Sequence, residues 1–172
     1  MKIGILSDTH KKVKKARLAI ELLKENGAEF IVHAGDIVEI KTLDLLKTSG
    51  LDYVAVYGNN DAHLFPFHSE YNLVQEPHYF TLDDTTFKLM HLPYYMVPDA
   101  DVVIFGHTHQ FATEFPNGTL FLNPGECCAR NKPFSDCVLL EVTKKKFHVT
   151  HFSREKKAKE FKSTKSSYER VK

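Results

Sequence analysis

The stretch MKIGILSDTH (1–10) decides how the rest of the chain is organised. Its apolar run at residues 3–6 stops at Asp8 and His10, and a short apolar run that ends in polar residues predicts a buried strand. Asp8 and His10 are two residues apart, so on an extended chain both side chains point to the same side. A carboxylate and an imidazole placed in this way make half of a metal site.

Two further apolar runs repeat the pattern. Residues 30–34 lead into Asp36, and residues 53–57 lead into Asn59. Apolar positions spaced three and four apart predict one helix after the first strand and another after the second. Alternating strands and helices with short connections predict parallel strands, and ligands of such sheets bind beyond the carboxyl ends of the strands.

The second half of the sequence predicts mostly antiparallel hairpins, and its apolar runs also end in polar residues. His91 follows residues 86–90, while His107 and His109 follow residues 102–105. The strand ends together offer seven candidate metal ligands: Asp8, His10, Asp36, Asn59, His91, His107 and His109.

Seven ligands are about the number that two divalent metals ~3.5–4 Å apart require, with one carboxylate bridging them. Glycine precedes Asp36, Asn59 and His107, which predicts close approach of the backbone at these strand ends. Imidazole and oxygen ligands without thiolate favour transition metals over Ca²⁺. We therefore expect two divalent transition metal ions as cofactors, with Mn²⁺ first and Fe²⁺, Zn²⁺ or Ni²⁺ as alternatives.

The motifs resemble, in kind and in order, those of the calcineurin-like metallophosphoesterases, and in particular their small single-domain phosphodiesterases from bacteria and archaea. The resemblance covers residues 1 to about 152. It implies an α/β fold, a four-layer sandwich of two mixed β-sheets packed face to face with helices on the outside. The motifs that carry it are Asp8-Thr9-His10, Gly35-Asp36, Gly58-Asn59-Asn60-Asp61, His91 and Gly106-His107-Thr108-His109.

The resemblance also implies roles and a reaction. Carried over by position, the first metal takes Asp8, His10 and His109, the second takes Asn59, His91 and His107, and the bridge is Asp36. The implied enzyme is a metal-dependent phosphoesterase, a phosphoric diester hydrolase in which a metal-bridging hydroxide attacks the phosphorus of a small phosphodiester.

The chain departs from the family at the residue after the metal-binding asparagine. Relatives carry a histidine there, which assists the leaving group, or a cysteine, whereas this chain carries Asn60. Asparagine can hydrogen-bond a phosphate but cannot donate a proton as an acid does, so we expect substrates with good leaving groups to be favoured. Asp61 and His63 are the candidates that could take over the catalytic role.

The fourth motif differs as well. The family tends to read His-Gly-His, whereas His91 is followed here by Leu92 and Pro93. Only 15 residues separate His91 from His107, too few for the helix that the family places between them. These changes predict a more open site. Glu126 stands where a serine is common, and the sequence assigns it no role.

We predict a metallophosphoesterase domain over residues 1–152 and a basic C-terminal tail over residues 153–172. The domain carries 15 Lys and Arg against 19 Asp and Glu, and the tail carries 8 against 3. We interpret the tail as a solvated end. It has few interleaved aromatic residues, so a nucleic-acid groove is not indicated.

We expect a cytoplasmic protein without a membrane partner. The three cysteines lack CxxC spacing, no apolar stretch approaches ~20 residues, and the N-terminus does not resemble a signal peptide. The expected partner is a small-molecule phosphodiester, and a homo-oligomer stays open. One rival is a phosphomonoesterase or pyrophosphohydrolase of the same fold. Another is a non-catalytic scaffold, because the small subunit of the retromer complex resembles this fold and serves chiefly to bind proteins. The complete ligand set favours the enzyme.

Overall fold

Strands and helices alternate over the first third of the chain, as the sequence predicts. The computed structural model describes residues 1–170. Its elements, in chain order, are β1 (Lys2–Leu6), α1 (Val13–Glu25), β2 (Phe30–His33), α2 (Ile40–Lys47), β3 (Asp52–Val56), a 3₁₀ helix (Ala62–Phe67), β4 (Leu73–Val74), β5 (His78–Leu82), β6 (Thr85–Leu89), β7 (Val102–Ile104), β8 (Phe111–Glu114), a 3₁₀ helix (Pro116–Gly118), β9 (Leu120–Pro124), β10 (Phe134–Val142), β11 (Lys146–Glu155) and β12 (Lys162–Glu169).

The strands form two mixed sheets, which confirms the predicted α/β fold with two mixed sheets. The first sheet has seven strands in the order β12-β11-β10-β1-β2-β3-β4, parallel from β1 to β4 and antiparallel elsewhere. The second has five strands in the order β5-β6-β7-β9-β8, and its three central strands run parallel. β1 lies at the centre of the first sheet, so its carboxyl end has neighbours on both sides.

The main core lies between the two sheets. Ile3 and Ile5 of β1 pack in one cluster with Phe87, Leu89 and Ile104 of the second sheet, and all five are fully buried. Burial of each such side chain contributes about 1.5–3 kcal/mol to folding. This core joins the sheets, so strand ends from both can contribute to one site.

The two α-helices cover the other face of the seven-stranded sheet. Leu6 of β1 packs there with Ala19, Leu23 and Leu43 from the helices. A Cβ on Gly4 would lie 3.0 Å from the Leu23 side chain, so α1 packs closely against β1. α1 is the longer helix with 13 residues, and no helix within residues 1–170 is long and apolar enough to cross a membrane.

The helices lie outside the seven-stranded sheet only. Both α-helices of the described chain come before β3, and the connection from β6 to β7 contains only turns and bends. That connection is too short for a covering helix, as the spacing of His91 and His107 predicts. On the outer face of the second sheet, Met90, Val103 and Phe121 form a small buried cluster of their own.

Residues 162–169 form a strand of the first sheet, where we expected a solvated end, although most of their side chains are exposed. They form β12, which pairs with β11 along its length, and the boundary expected at residue 152 falls inside β11. Tyr168 is half-buried, its hydroxyl lies 2.6 Å from the Thr113 Oγ1 atom, and its ring centroid lies 5.4 Å from that of Phe115. The last two residues of the predicted tail lie outside the described part of the chain.

We expect Tyr168→Ala to lower the free energy of unfolding by about 2 kcal/mol, since it removes the apolar contact of β12 with the second sheet. Tyr168→Phe keeps the ring and removes one hydrogen bond, so it should cost about 1 kcal/mol. Urea denaturation measures both, with Lys165→Ala on the exposed side of β12 as the control. Unfolding midpoints that match the wild type in all three variants would contradict the packing of β12.

Candidate metal centre

Four of the predicted ligands converge beyond the carboxyl ends of three strands. Asp8, His10, Asp36 and His109 bring one ligand atom each to within 4.8 Å of one another. The Nε2 atom of His109 lies 3.2 Å from the Oδ1 atom of Asp8. Asp8 and Asp36 are at most 2% exposed, and His10 is 8% exposed. This first group therefore places two carboxylates and two imidazoles together in a partly enclosed site.

The other three predicted ligands meet around one amide oxygen. The Oδ1 atom of Asn59 lies 3.0 Å from the Nε2 atom of His91 and 3.1 Å from the Nδ1 atom of His107. The rings of His91 and His107 meet edge to face, with centroids 5.2 Å apart. The structure thus brings all seven residues into two adjacent groups.

Asp36 stands between the two groups. Its Oδ2 atom lies 3.6 Å from the His10 Nε2 atom, and its Oδ1 atom lies 3.5 Å from the His91 Nε2 atom. One carboxylate oxygen therefore faces each group. This is the arrangement that a bridging carboxylate requires.

Hydrogen bonds on the Nδ1 atoms of two histidines indicate which ring nitrogen of each faces the centre. The Nδ1–H of His91 donates to the Ala34 carbonyl at 2.8 Å, so Nε2 is the ring nitrogen that faces the Asn59 oxygen. The Nδ1–H of His109 donates to Glu126 at 2.6 Å, so its Nε2 atom likewise faces the Asp8 carboxylate. A metal ion between the facing atoms would bind both partners of each pair, because imidazole nitrogen and amide or carboxylate oxygen are metal ligands.

Two buried atoms of the first group have no hydrogen-bond partner within the described chain. They are Asp8 Oδ1 and His10 Nε2. Burial raises the pKa of Asp8, although the hydroxyl of Ser7 donates to its other oxygen at 2.6 Å. An unpartnered buried carboxylate is costly unless a cation compensates it. The nitrogen and oxygen donors fit a divalent transition metal.

The backbone at most of these ligands is strained. Left-handed φ angles cost L-residues about 1 kcal/mol or more each, and such strain clusters at functional sites. Backbone bonds hold it in place: the amide of Asp8 donates to the Gly35 carbonyl at 3.0 Å, and the amide of His10 donates to the Asp36 carbonyl at 2.9 Å. The strained ligands are Asp8 (φ 52°), His10 (44°), Asp36 (55°), His107 (65°) and His109 (61°).

The predicted glycines allow the backbone to approach closely. A Cβ at Gly58 would fall 2.2 Å from the backbone nitrogen of Asp36, and one at Gly35 would fall 2.7 Å from the His91 ring. At Gly106 a Cβ would lie 2.2 Å from a serine hydroxyl. Any side chain at these three positions would push the strand ends apart.

Glu126 contacts a candidate metal ligand, and the sequence reasoning assigned it no role. It is fully buried, and it accepts hydrogen bonds from the His109 ring and from the backbone amides of Asn131 and Lys132. Burial would raise its pKa, but these hydrogen bonds outweigh that effect and lower it, so the carboxylate is ionised. An ionised partner on Nδ1 fixes the tautomer of His109 and strengthens Nε2 as a ligand. A glutamate between small residues and two cysteines was the available signal.

Cys128 also comes near the first group, with Sγ within 4.8 Å of the ligand nitrogens of His10 and His109. Its thiol donates to Glu126 at 3.3 Å, and burial raises its pKa to about 12. A neutral thiol is a poor metal ligand. We therefore keep the prediction that no thiolate binds the metals.

Asn60 holds the carboxylate of Asp36. Its backbone amide donates to Asp36 Oδ1 at 3.0 Å, and its side-chain amide donates to Asp36 Oδ2 at 2.8 Å. Asn60 itself is exposed and, with His10, lines a cleft of about 690 Å³ beside the centre. It is therefore placed to touch both the metal centre and a bound molecule.

Asp61 is placed differently from the expectation of a catalytic role. Its carboxylate is fully buried and accepts three backbone amides, from Ile37 at 3.0 Å, Val38 at 2.7 Å and Gly58 at 2.8 Å. It ties the loop after β2 to the loop after β3, and backbone amides already occupy both of its oxygens, so we correct its role to positioning. His63 is exposed, and its Nε2–H donates to the Val38 carbonyl at 2.7 Å; its catalytic role stays a prediction.

Behind the centre, His33 links β2 to the loop after β1. The backbone amide of Gly35 donates to its Nδ1 atom at 3.2 Å, so the proton lies on Nε2 and is donated to Thr9 Oγ1 at 3.0 Å. His33 is fully buried, and burial lowers its pKa to about 3. A neutral histidine here supports the backbone that carries Asp8 and His10.

Comparison with known proteins gives matches along nearly the whole chain. A family model described as the calcineurin-like phosphoesterase superfamily domain matches residues 1–146. A phosphodiesterase of Methanocaldococcus jannaschii is 31% identical over 160 residues, which cover 86% of this chain and 96% of the relative.

Solved structures are similar over the same length. One, described as a novel archaeal phosphodiesterase, has a TM-score of 0.73 and 28% identity, covering 96% of this chain and 100% of its own. Vacuolar protein sorting 29 from Cryptosporidium parvum has a TM-score of 0.79 with 18% identity, covering 98% of both chains. The second likeness concerns the fold alone.

We expect Glu126→Gln to weaken divalent-metal affinity by about 10–100-fold, because a neutral amide leaves His109 less basic and its tautomer less fixed. Isothermal titration calorimetry with Mn²⁺ measures this affinity. Glu114→Gln, on the exposed β8, is the matched control. An unchanged affinity in a folded Glu126→Gln protein would show that this carboxylate does not act on the metal ligands.

His33 should make the protein less stable as the pH falls. It stays neutral in the native protein down to about pH 3 but is protonated below about pH 6.5 in the unfolded chain. The unfolded chain then binds more protons, so the free energy of unfolding falls by up to about 1.4 kcal/mol per pH unit below pH 6.5. Urea denaturation at several pH values should show a smaller slope in His33→Gln. Parallel slopes would contradict this role.

Proposed function

The chain belongs to the calcineurin-like phosphoesterase superfamily and is a metal-dependent phosphoesterase, and we propose that it hydrolyses a small phosphodiester at a centre of two divalent metal ions. The likeness to the phosphodiesterase of Methanocaldococcus jannaschii supports the diester as substrate. The two adjacent ligand groups support two metals.

The position of Asp36 carries the proposal. Its two oxygens face His10 on one side and His91 on the other at 3.6 and 3.5 Å. A single metal held by the first group would leave the second group, around Asn59, without a role as ligands. We therefore assign the ligands in two sets that share Asp36: Asp8, His10 and His109 for the first metal, and Asn59, His91 and His107 for the second.

Bound metals would supply a water of lowered pKa and positive charge against the phosphoryl oxygens. Hydrolysis adds the oxygen of water to phosphorus, breaks one phosphorus–oxygen ester bond and transfers a proton to the leaving oxygen. Mn²⁺ is the metal we expect, with Fe²⁺, Zn²⁺ and Ni²⁺ as alternatives, because all four accept imidazole and carboxylate ligands.

The residues of the chain orient the reacting groups. Asn60 fixes both oxygens of Asp36, and its exposed side chain lies where it can donate a hydrogen bond to a phosphoryl oxygen. An amide donates no proton to a leaving group. With Asp61 buried against backbone amides, His63 is the remaining candidate acid, and diesters with good leaving groups should react fastest.

The decisive experiment measures hydrolysis of bis(4-nitrophenyl) phosphate with and without added Mn²⁺, by the wild type and by Asp36→Ala, with metal content determined on the same samples. We expect activity to require metal. It should fall at least about 1,000-fold in the mutant, because the shared ligand of both metals is lost. 4-Nitrophenyl phosphate, a monoester with the same leaving group, should react more slowly.

Two controls make the result readable. Asp36→Asn keeps the shape of the side chain, and Asp52→Asn changes an exposed aspartate at the start of β3 that should leave activity unchanged. Faster turnover of the monoester would replace the proposed diesterase by a monoesterase of the same fold. One metal per chain in an active wild type would exclude the two-metal centre.

A protein-binding scaffold is the second candidate. The connection from β6 to β7 exposes Tyr94 (73%), Tyr95 (54%) and Val97 (50%), an apolar surface suited to a protein partner. Metal bound without turnover of either ester would favour this scaffold over the enzyme.

A further inference from the structure

The cleft beside the metal centre is strongly basic. The other residues that line it are neutral, and no carboxylate is among them. The cations come from separate segments of the fold, namely the loop after β1, α1, the loop after β9 and the turn after β11. They are Lys11, Lys12, Lys15, Arg130 and Lys156.

This charge is not an effect of overall composition. The whole chain carries 23 Lys and Arg against 22 Asp and Glu, yet the cleft gathers five cations and no carboxylate. Some cations elsewhere do have acidic partners, such as Lys132 with Asp136 at 3.3 Å and Lys88 with Asp99 at 3.1 Å. Within residues 1–170, none of the five cations of the cleft forms an ion pair. The cleft therefore holds uncompensated positive charge.

Lys15 is the clearest case. Its Nζ atom is buried and has no hydrogen-bond partner in the described chain. It lies in the first turn of α1, which contains no acidic residue, and the capping residue Lys12 makes no side-chain hydrogen bond there. The positive end of a helix and a lysine repel each other unless an anion lies nearby. Burial also lowers the pKa of Lys15, as expected for an ammonium group without a counter-ion.

The cleft and the centre are continuous. His10 belongs to the first ligand group and also lines the cleft. Asn60, which holds Asp36, lines it as well. A molecule whose phosphoryl group lies at the centre would therefore extend into the basic cleft.

We propose, resting on the function proposed above, that this cleft binds a second phosphate group of the substrate. The preferred substrate is then a small phosphodiester that carries at least one additional phosphate, bound by Lys15 and Arg130 while the diester is hydrolysed. These two residues determine specificity and take no part in the bond-breaking step.

The shape of the cleft favours a small molecule over a nucleic acid. Its volume of about 690 Å³ is in the range of small-ligand sites. No Phe, Tyr or Trp lines it, so bases of a single strand would find no surface on which to stack.

The test compares thymidine 5′-(4-nitrophenyl phosphate) with the same diester bearing a 3′-phosphate. The leaving group is identical, so the ratio of the two kcat/KM values reports the extra phosphate alone. The wild type should prefer the 3′-phosphorylated diester, and Lys15→Met should reduce that preference about tenfold, because one charge-assisted hydrogen bond is lost. Lys14→Met changes the neighbouring exposed lysine outside the cleft and should keep the ratio.

Two further measurements keep the proposal independent of folding and turnover. Arg130→Gln, at an exposed position, should lower the same ratio without disturbing α1. Calorimetry of the metal-loaded protein with thymidine 3′,5′-bisphosphate and thymidine 5′-phosphate should show tighter binding of the bisphosphate, and Lys15→Met should reduce this difference.

The outcomes separate the two proposals. Equal turnover of both diesters by the wild type overturns the phosphate cleft and leaves the diesterase in place. If neither diester is hydrolysed, the proposed function fails, and the calorimetry alone tests the phosphate cleft. A bisphosphate that binds no more tightly than the monophosphate would then overturn the phosphate cleft as well. A short single-stranded oligonucleotide that competes better than the bisphosphate, in a manner that depends on Lys15, overturns it in favour of a nucleic-acid site.

Discussion

The buried carboxylate of Asp8, at the end of the central strand, is the contact on which the site depends. It accepts hydrogen bonds from the Ser7 hydroxyl and, at 3.2 Å, from the backbone amide of His107, so it ties β1 to the loop after β7. Its backbone carbonyl accepts the amide of Cys128 at 3.1 Å, which brings in the loop after β9. One oxygen is left without a partner and faces His109. The chain thus buries a carboxylate oxygen that has no donor, and a bound cation would compensate it.

This arrangement costs stability, and the rest of the fold compensates for it. Several ligands adopt left-handed backbone conformations, and the loops that carry them approach so closely that only glycine fits at Gly35, Gly58 and Gly106. The core between the two sheets and the hydrogen bonds of Asp61 and His33 hold these loops in place. Strain of this kind persists only where the surroundings over-determine it, so the residues behind the ligands matter as much as the ligands.

The sequence predicted most of the fold and all seven residues that the structure brings together, because apolar runs that end in Asp, Asn or His carry both kinds of information. It did not predict β12, since KSTKSSYE has too few apolar residues to indicate a strand; its pairing depends on the exposed edge of β11 and on Tyr168. Glu126 was missed for a related reason. Its role is set by a contact with His109, 17 residues away, which no local pattern reveals.

Asp61 shows that sequence reasoning can also assign a role too readily. A carboxylate next to a metal-binding motif suggests a catalytic residue until its hydrogen-bond partners are known. Three backbone amides occupy it, and Asn60 is left facing the cleft. The proposed chemistry of the centre therefore comes from residues common to the family, whereas the cations of the cleft come from loops, a turn and the first turn of α1, outside the motifs. On these proposals, catalysis and recognition are carried by different segments. If the cleft binds a second phosphate as proposed, changes in Lys15 or Arg130 should alter which diester is bound while the groups around Asp36 stay intact.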